Sequence, residues 1–409
     1  MQENSVYLKE ATLGGYKSIK DITIDFKPGL NVIIGKNAAG KTNFLYFLHR
    51  MLSFEYENLS DFFARLTLLQ NENVFQVKAK GSFKEDIVNG KPFFGGSDLE
   101  ATFFYNSEVI AEAEDLNSNF FQKIRNYNFL FSTTLITHGI PDNFYFVTKP
   151  LNIKVSRTKF SSDLFRIIAE GENVFFPKSI LTSFIFLGLL SSEDFTQEGV
   201  EKEVNNVLNG IDSLKKHLRS ITPIKDIRFN KSLNVLIDKT NGEFSVNNLL
   251  LEFYIDDEWY PFDQLSDGTK RLFYIISEVA YSGEYYYAGK AMAVVSKDDG
   301  RVILLEEPEL GIHPHQLQAL LRFLKEQAED KQIILTTHSP QVLDALSQSD
   351  LDRVIIAYSD KQEGTKLRHL TDAEMSKARK YIEEDLLSDY WRFSDLEKKD
   401  KYYEDRLSG

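Results

Sequence analysis

One short segment constrains the fold of this chain more than any other feature. Residues 35–42, GKNAAGKT, match the pattern G-x-x-x-x-G-K-[ST] at every specified position. Such a loop turns backbone N–H groups toward phosphate oxygens, and the helix behind it adds positive potential at its N-terminus. The pattern requires a buried strand before the loop and a helix after it. The apolar run 30–34 and the helical spacing of apolar residues in 42–52 supply both.

The loop residues have distinct expected roles. Lys41 is expected to reach the β- and γ-phosphates, and the Thr42 hydroxyl is expected to ligate Mg²⁺. The alternative is a glycine turn that only caps a helix. Because strand and helix flank the loop in the required order, we favour phosphate binding. The predicted nucleotide contacts in this loop are Gly35, Lys36, Asn37, Ala38, Ala39, Gly40, Lys41 and Thr42.

A pair of acidic residues ends a second apolar run. Residues 302–305 are apolar and lead directly into Glu306 and Glu307. Two carboxylates are thereby placed at the carboxyl end of a buried strand, where ligands of open α/β sheets bind. One carboxylate can hold Mg²⁺ through water, and the next can orient or deprotonate an attacking water molecule. The alternative, a strand that ends in a solvated acidic turn, is common.

Two further polar clusters lie beside predicted helices and strands. Ser266 and Gly268 stand immediately before a predicted helix at 269–281, so their hydroxyl and amide groups can meet an anion. In isolation such a pair is more often only a helix cap. His338 lies in the Thr-Thr-His-Ser-Pro segment 336–340, after the apolar run 333–336. A lone histidine in such a position is more often structural. Because the other three motifs occur in the same chain, we favour a functional role for His338.

With these four elements in this order, the chain resembles the ABC-type ATPase superfamily. Within it, the chain is most similar to the RecF/SMC-like and OLD-like branch, particularly the prokaryotic AbiEii-type AAA ATPases of phage-defence systems. Residues 8–45 resemble the opening of that branch, and LSDGTKRL resembles its signature. VILLEEPELGIHPHQ and IILTTHSPQVL resemble its Walker B, D-loop and switch-histidine segments. The resemblance covers residues 5–52 and 260–345, and the middle of the chain carries no matching motif.

The resemblance implies ATP and Mg²⁺ as ligands and assigns roles to the matching residues. Glu307 is expected to be the general base for water, and His338 is expected to sense the γ-phosphate. Thr42 and Glu306 are expected at the metal. The implied activity is hydrolysis of ATP to ADP and phosphate.

The signature implies a shared site. In this architecture Ser266 and Gly268 cannot reach the phosphate loop of their own chain, so they are expected to close over nucleotide bound to the opposite subunit. A head-to-tail homodimer, or a higher homo-oligomer, follows. Lys17, in an early Tyr-Lys-Ser turn, matches a basic position that touches nucleotide in some relatives.

Three positions depart from the pattern of the family. Glu306 stands where the family usually has Asp, so Mg²⁺ must be held by a side chain one methylene longer, which predicts slow hydrolysis. Asp267 replaces the first glycine of the signature. A Q-loop glutamine has no clear position, and Gln122 is only a weak candidate.

The expected fold class is α/β, an ABC-type (P-loop) ATPase fold with a mixed sheet. Strands predicted at 7–13 and 22–26, around the turn Gly14-Gly15, form an N-terminal antiparallel β subdomain. The predicted ATPase domain covers 1–370 and is assembled from residues 1–110 and 245–370. Residues 111–244 are predicted to be a helical insertion lobe, and 371–409 a charged helical C-terminal segment.

Composition limits the classes of function. The chain has no cysteine, which excludes disulfides, zinc-thiolate sites and cysteine nucleophiles. The N-terminus lacks a charged-then-apolar signal, and the most apolar stretch, 180–190, is shorter than the ~20 residues that cross a bilayer and predicts a buried helix. We therefore expect a cytoplasmic protein with no membrane insertion.

Two functions from different classes remain open. In the first, the ATPase is a switch in antiviral defence that controls a separate, nuclease-like effector, since the residues after 345 show no E…D-x-D array. In the second, it is a RecF-like DNA repair or recombination ATPase that contacts DNA. The net charge of −13 and the lack of a coiled-coil arm disfavour the second. A transport ATPase subunit finds no support.

Overall fold

The computed structural model describes most of the chain between Val6 and Leu396. The described residues are 6–56, 59, 61–88, 91–97, 99–112, 127, 131–140, 147, 150–157, 165–169, 172–173, 198, 202, 211–238, 243–280, 285–288, 291–294, 300–384, 386–394 and 396. The predicted helix at 180–190 and the Q-loop candidate Gln122 lie outside these residues, and so does most of 144–148, which the sequence also predicts to be a strand. Within the described ranges, no helix combines the length and apolarity needed to cross a bilayer.

The described residues form strands throughout and helices at a few positions only. The strands are β1 (Tyr7–Gly14), β2 (Ile22–Asp25), β3 (Leu30–Ile34), β4 (Asp61–Gln70), β5 (Asn73–Val88), β6 (Lys91–Ser97), β7 (Glu100–Tyr105), β8 (Glu108–Glu112), β9 (Phe131–Ile136), β10 (Leu151–Arg157), β11 (Phe165–Ala169), β12 (Glu172–Asn173), β13 (Asp226–Phe229), β14 (Asn234–Asp238), β15 (Glu243–Leu249), β16 (Leu251–Ile255), β17 (Glu258–Pro261), β18 (Tyr285–Ala288), β19 (Ala291–Val294), β20 (Gly300–Glu306), β21 (Gln332–Thr337), β22 (Val354–Asp360) and β23 (Gly364–His369). The helices are α1 (Lys41–Leu52), α2 (Asp212–Ile221), α3 (Asp267–Ala280), α4 (Pro314–Gln327), α5 (Asp372–Glu384) and α6 (Leu387–Phe393).

The chain divides into two compact units. The first contains residues 1–138, 288–310 and 321–409, and the second contains 139–287 and 311–320. The predicted half 245–370 is therefore split between the units, with the signature segment in the second.

A six-stranded mixed sheet is the centre of the first unit. Its order is β23-β22-β3-β21-β20-β9. The strands from β22 to β9 are parallel, and β23 pairs antiparallel with β22. All residues of β3, β20 and β21 are buried, which explains why these strands are nearly continuous apolar runs. The predicted α/β fold with a mixed sheet is confirmed.

A second, antiparallel sheet forms the N-terminal part of the same unit. Its order is β2-β1-β4-β5-β7-β8, and β6 also pairs with β5. The apolar face of α1 and the inner face of this sheet share one core cluster, in which Phe44, Phe47, Phe75 and Phe103 are fully buried. The predicted N-terminal antiparallel subdomain is confirmed, and these phenylalanines form the expected aromatic core.

The second unit contains more strand than the sequence predicts. Its described residues form a five-stranded sheet, β12-β11-β10-β15-β14, and a three-stranded sheet, β13-β16-β17. Residues 111–244 were predicted to be a helical insertion lobe, and their described part contains strands β10 to β14 as well as helix α2. Moreover, β9 lies within 111–244 and belongs to the six-stranded sheet of the first unit.

Two local predictions need correction. The run of apolar and aromatic residues in 249–255 predicts a single strand, but the structure has two, β15 and β16, which belong to different sheets. Asn248, with φ 58°, lies in the left-handed region just before the change of sheet. The sequence also predicts a helix at 340–346, and the structure has a 3-10 helix there, Pro340–Ala345.

One buried lysine adjoins the start of β21. Lys331 is 7% exposed, and its Nζ donates a hydrogen bond to Gln327 Oε1 at 2.8 Å. Burial, with a smaller contribution from the charge of Arg301, lowers the pKa of Lys331 from 10.5 to about 7. Above pH 7 the folded chain releases this proton, whereas the unfolded chain keeps it up to about pH 10.5. The unfolded state thus binds more protons in this window, and this group makes the protein more stable as pH rises.

We expect Lys331→Met to raise the free energy of unfolding at pH 7 by on the order of 1–3 kcal/mol, because it removes a charge that burial disfavours. The gap from wild type should shrink as the pH rises toward 10, since only wild type gains stability there. Urea unfolding at several pH values measures both effects. Lys377→Met, on an exposed position of α5, is the control. A gap that stays constant from pH 7 to 10 would contradict the assignment.

Candidate nucleotide-binding site

Parallel pairing brings the predicted motifs to one edge of the six-stranded sheet. Residues 35–40 follow β3, His338 follows β21, and Glu306 ends β20. The register places Ile34 beside Thr337, and Thr336 beside Glu306. Because neighbouring parallel strands end at the same edge, the phosphate loop, the acidic pair and the histidine are adjacent.

The phosphate loop has a backbone conformation and a close packing against neighbouring strands that only glycine allows at two of its positions. Gly40 precedes α1 with φ 90°, in the left-handed region. A Cβ built on Gly40 would collide with Thr365 of β23, and one on Gly35 would collide with the carbonyl of Ala357 in β22. Ala38 also has a positive φ of 66°. The close approach of β22 and β23 therefore explains why the two glycines of the motif are needed here.

The side chain of Lys41 is held inside the loop. It is 5% exposed, and its Nζ donates hydrogen bonds to the carbonyl oxygens of Gly35 at 2.8 Å and Lys36 at 3.0 Å. The same Nζ lies 3.7 Å from Glu307 Oε1. The cation thus connects the phosphate loop to the acidic pair, as expected for a lysine that serves phosphate oxygens.

The remaining loop residues suit an anion above the loop. Lys36, Asn37 and Ala38 are exposed, whereas Ala39 is buried. Thr42 is exposed on the first turn of α1. The loop therefore presents its backbone and the Thr42 hydroxyl at the helix N-terminus, where phosphate binding is favourable.

Glu307 and His338 face each other across the strand ends. His338 Nδ1 lies 3.3 Å from Glu307 Oε1, and the Glu307 carboxylate is 20% exposed. Glu307 has a positive φ of 40°, and its backbone N–H donates to Thr336 O at 2.9 Å. A non-glycine residue in this region costs about 1–3 kcal/mol and persists where the surrounding structure fixes it. The side chain that remains accessible to water is thus the one predicted to be the general base.

Glu306 is almost fully buried beside it, at 4% side-chain exposure. His138, just after β9, has its Nδ1 3.2 Å from Glu306 Oε2. Burial, and then the nearby Glu306 carboxylate, raise the pKa of Tyr46, although a hydrogen bond with Thr137 opposes the shift. Because its ring nitrogen contacts the Glu306 carboxylate, His138 can fix the orientation of that carboxylate.

The donor set fits a hard divalent cation. Glu306 supplies a carboxylate at the strand end and Thr42 a hydroxyl at the start of α1, and both are the oxygen ligands that Mg²⁺ prefers. Magnesium in such sites keeps water molecules and phosphate oxygens as further ligands. The two residues predicted at the metal therefore have suitable chemistry.

Lys17 lies in a turn fastened to the start of α1. Ser18 Oγ accepts hydrogen bonds from Asn43 Nδ2 at 2.9 Å and from Thr365 Oγ1 at 2.8 Å. Lys17 is exposed with φ 49°, and its Nζ lies 5.2 Å from the centre of the Tyr16 ring. The turn thus brings Lys17 to the side of the phosphate loop, although no contact of its own identifies a nucleotide role.

The signature residues lie in the second unit, at the start of α3. Ser266 Oγ accepts a hydrogen bond from the backbone N–H of Thr269 at 3.2 Å and lies 2.8 Å from the Thr269 hydroxyl. Ser266 is exposed and caps the helix. A Cβ on Gly268 would lie 2.8 Å from the carbonyl oxygen of Gly311. The cap interpretation therefore holds, and it leaves Ser266 at the surface.

Sequence reasoning missed three residues at this edge. Thr365 packs against Gly40, His138 touches Glu306, and the Glu309 carboxylate binds the histidine turn. Only Glu309 lay within a recognised motif. The contacts of all three depend on strand pairing between distant parts of the chain, which residue spacing does not report.

Comparison with known proteins gives a family match and several relatives. Residues 30–344 match the family described as "AAA domain, putative AbiEii toxin, Type IV TA system". The Septu protein PtuA of Bacillus thuringiensis is 24% identical over 353 residues, covering 84% of this chain and 74% of PtuA. The endonuclease GajA of Bacillus cereus is also 24% identical, over 84% of this chain but 57% of GajA. The chain thus spans little more than half the length of GajA.

Shorter and structural similarities accompany these. The DNA replication and repair protein RecF of Symbiobacterium thermophilum is 48% identical over 44 residues, or 11% of this chain and 12% of RecF. An SMC head bound to the C-winged helix domain of ScpA aligns with 91% of this chain and 99% of its own length, at 14% identity and a TM-score of 0.49.

We expect Gly40→Ala to weaken ATP binding at least tenfold, because the new methyl group collides with Thr365 and the left-handed φ costs a further ~1 kcal/mol. Equilibrium titration with a fluorescent ATP analogue measures the change. Gly139→Ala is the matched control, since its added Cβ meets no atom within 4 Å. Equal affinities for the two variants would argue against the loop as the phosphate site.

Proposed function

The chain belongs to the AAA-domain family of AbiEii type, and we propose that it works as a switch that binds and hydrolyses ATP. The observation that best supports this is the line of contacts from Lys41 to Glu307 and on to His338. A phosphate-binding cation, a water-accessible carboxylate and a histidine thereby meet at one sheet edge. Hydrolysis of a terminal phosphate by water requires such a set of groups.

In the proposed reaction, the phosphate loop fixes the triphosphate of ATP. Lys41 turns its Nζ from the loop carbonyls toward phosphate oxygens and stabilises the charge that grows there. Glu307 orients the attacking water and accepts its proton, since its carboxylate is partly exposed. His338 Nδ1 faces Glu307. The other ring nitrogen, Nε2, donates a hydrogen bond toward the γ-phosphate.

The metal partners are Thr42 and Glu306. Bound Mg²⁺ supplies positive charge that neutralises the phosphate oxygens. His138 keeps the long Glu306 side chain in one orientation. The Glu306 side chain is one methylene longer than Asp and so presents its carboxylate to the metal from a different position, and we propose slow hydrolysis and a long-lived ATP-bound form.

We further propose that two chains share each ATP. The phosphate loop and the signature belong to different compact units, and Ser266 is exposed at the start of α3. In a head-to-tail pair, Ser266 and Gly268 of one protomer cover the γ-phosphate held by the other. ATP would then add charge-assisted hydrogen bonds across the interface, and hydrolysis would remove them.

The output of this switch is proposed to be control of a separate effector in anti-phage defence. The family description names a toxin of a toxin–antitoxin system, and one relative is named an endonuclease. A nuclease-like partner that binds only one nucleotide state would receive the signal as a population shift.

A DNA repair function is the second candidate, and the 44-residue similarity to RecF favours it. Against it stands the net charge of −13, because duplex DNA is bound mainly through basic surface. Tight, ATP-dependent binding of duplex DNA at physiological salt would favour repair over defence.

We expect Glu307→Gln to lower kcat by at least a hundredfold while leaving ATP affinity within about threefold, because it removes the proton acceptor and keeps the shape. Lys41→Ala should instead abolish ATP binding. Single-turnover hydrolysis and nucleotide titration separate the two. Glu363→Gln, an exposed glutamate between β22 and β23, is the control. Unchanged turnover in both Lys41→Ala and Glu307→Gln would overturn the proposed activity.

Mixing two variants tests the shared site. Lys41→Ala and Ser266→Arg, each in a Glu307→Gln background, should trap no labelled ATP alone. Their mixture should trap roughly a quarter of the Glu307→Gln amount, because each mixed pair rebuilds one intact site. Two chains that both carry Lys41→Ala should trap none when mixed. A mixture that traps no more labelled ATP than either variant alone would rule out the composite site.

A further inference from the structure

The carboxylate of Glu309 lies beneath the turn that carries His338. Glu309 is three residues beyond Glu306, and its side chain is 7% exposed. One oxygen, Oε1, accepts hydrogen bonds from the Thr337 hydroxyl and from the backbone N–H groups of His338 and Ser339, both at 3.3 Å. All three donors thus reach a single atom, although the Ser339 N–H is shared and donates at 2.9 Å to the Thr337 hydroxyl as well.

The same oxygen is also close to the histidine ring. His338 Nδ1 lies 3.5 Å from Glu309 Oε1 and 3.3 Å from Glu307 Oε1. The backbone of the turn and the ring it carries are therefore both adjacent to Glu309. Loss of this carboxylate would free the turn and the ring together.

Glu309 is not placed to act on water itself. Its Oε1 is occupied by three donors, and its Oε2 is buried with no hydrogen-bond partner among the described residues. Glu307, by contrast, has a partly exposed carboxylate. A proton acceptor needs access to its substrate, so the geometry separates the two glutamates.

We propose that Glu309 is a positioning residue that fixes His338 against Glu307 by anchoring the turn 337–339. A buried polar oxygen is expensive unless donors satisfy it, and Oε1 accepts hydrogen bonds from the turn. Three such bonds to one oxygen fix a turn that directly follows a buried strand. Glu309 thereby couples the acidic segment after β20 to the histidine after β21.

This inference rests on the proposed ATP hydrolysis, and the variants are chosen so that the two can fail separately. Glu309→Ala removes the anchor. Glu309→Gln keeps it, because all three donors use one oxygen and a glutamine carbonyl oxygen can accept from them. Glu374→Gln is the matched control, a partly buried glutamate whose partners are Arg368 and Thr371.

The full-length chain is assayed for kcat, KM for ATP, ATP affinity and thermal unfolding. We expect Glu309→Ala to lower kcat roughly tenfold or more with KM and ATP affinity within about twofold, and we expect the same pattern for His338→Ala. Glu309→Gln should recover to within about threefold of wild type. In a His338→Ala background, Glu309→Ala should lower kcat by less than about twofold, because residues that act as a unit are not additive.

Three results would overturn the inference. They are full activity of Glu309→Ala, a loss that persists undiminished in the His338→Ala background, and a Glu309→Gln variant as slow as Glu309→Ala, which would mean that the charge rather than the anchor matters. A kcat loss in Glu374→Gln as large as that in Glu309→Ala would mark the effect as general destabilisation. If wild type itself has no turnover, the proposed function fails instead, before Glu309 is tested.

Discussion

The structure depends on the parallel pairing of four neighbouring strands, β3, β21, β20 and β9. Neighbouring parallel strands end at the same edge of the sheet, so the loops that follow them lie side by side there. The phosphate loop, the acidic pair, the histidine turn and His138 are brought together by this pairing alone. A shift in the register of one strand would separate groups that now lie within about 3–4 Å.

Charge balance at that edge is maintained by short contacts among few groups. Lys41 Nζ lies 3.7 Å from Glu307 Oε1, and His338 Nδ1 lies 3.3 Å from Glu307 Oε1 and 3.5 Å from Glu309 Oε1. Glu306 is buried against His138 on the other side. Each of the three carboxylates within these four positions therefore has a different set of neighbours, and different surroundings can give like groups different properties.

Much of this site could be predicted from the sequence, because its motifs are local. The strand–loop–helix around Lys41 and the apolar runs before Glu306 and His338 report buried strands directly. Pairings at the sheet edges could not be predicted: β9 reads FSTTLI, a mixture of polar and apolar residues, and β23 carries three basic side chains. The split of residues 249–255 between two sheets follows from a backbone turn at Asn248, a position where residue type alone does not require it.

The packing of Thr365 against Gly40 also bears on how such chains can diverge. Thr365 is buried, bonded to Ser18, and separated from the phosphate loop by more than three hundred positions in the chain. A bulkier residue at 365 would displace the loop, so its acceptance requires a compensating change around residues 18 or 43. Substitution at residue 365 is thus tied to the residues around the phosphate loop, and homologues should vary at these positions as a group.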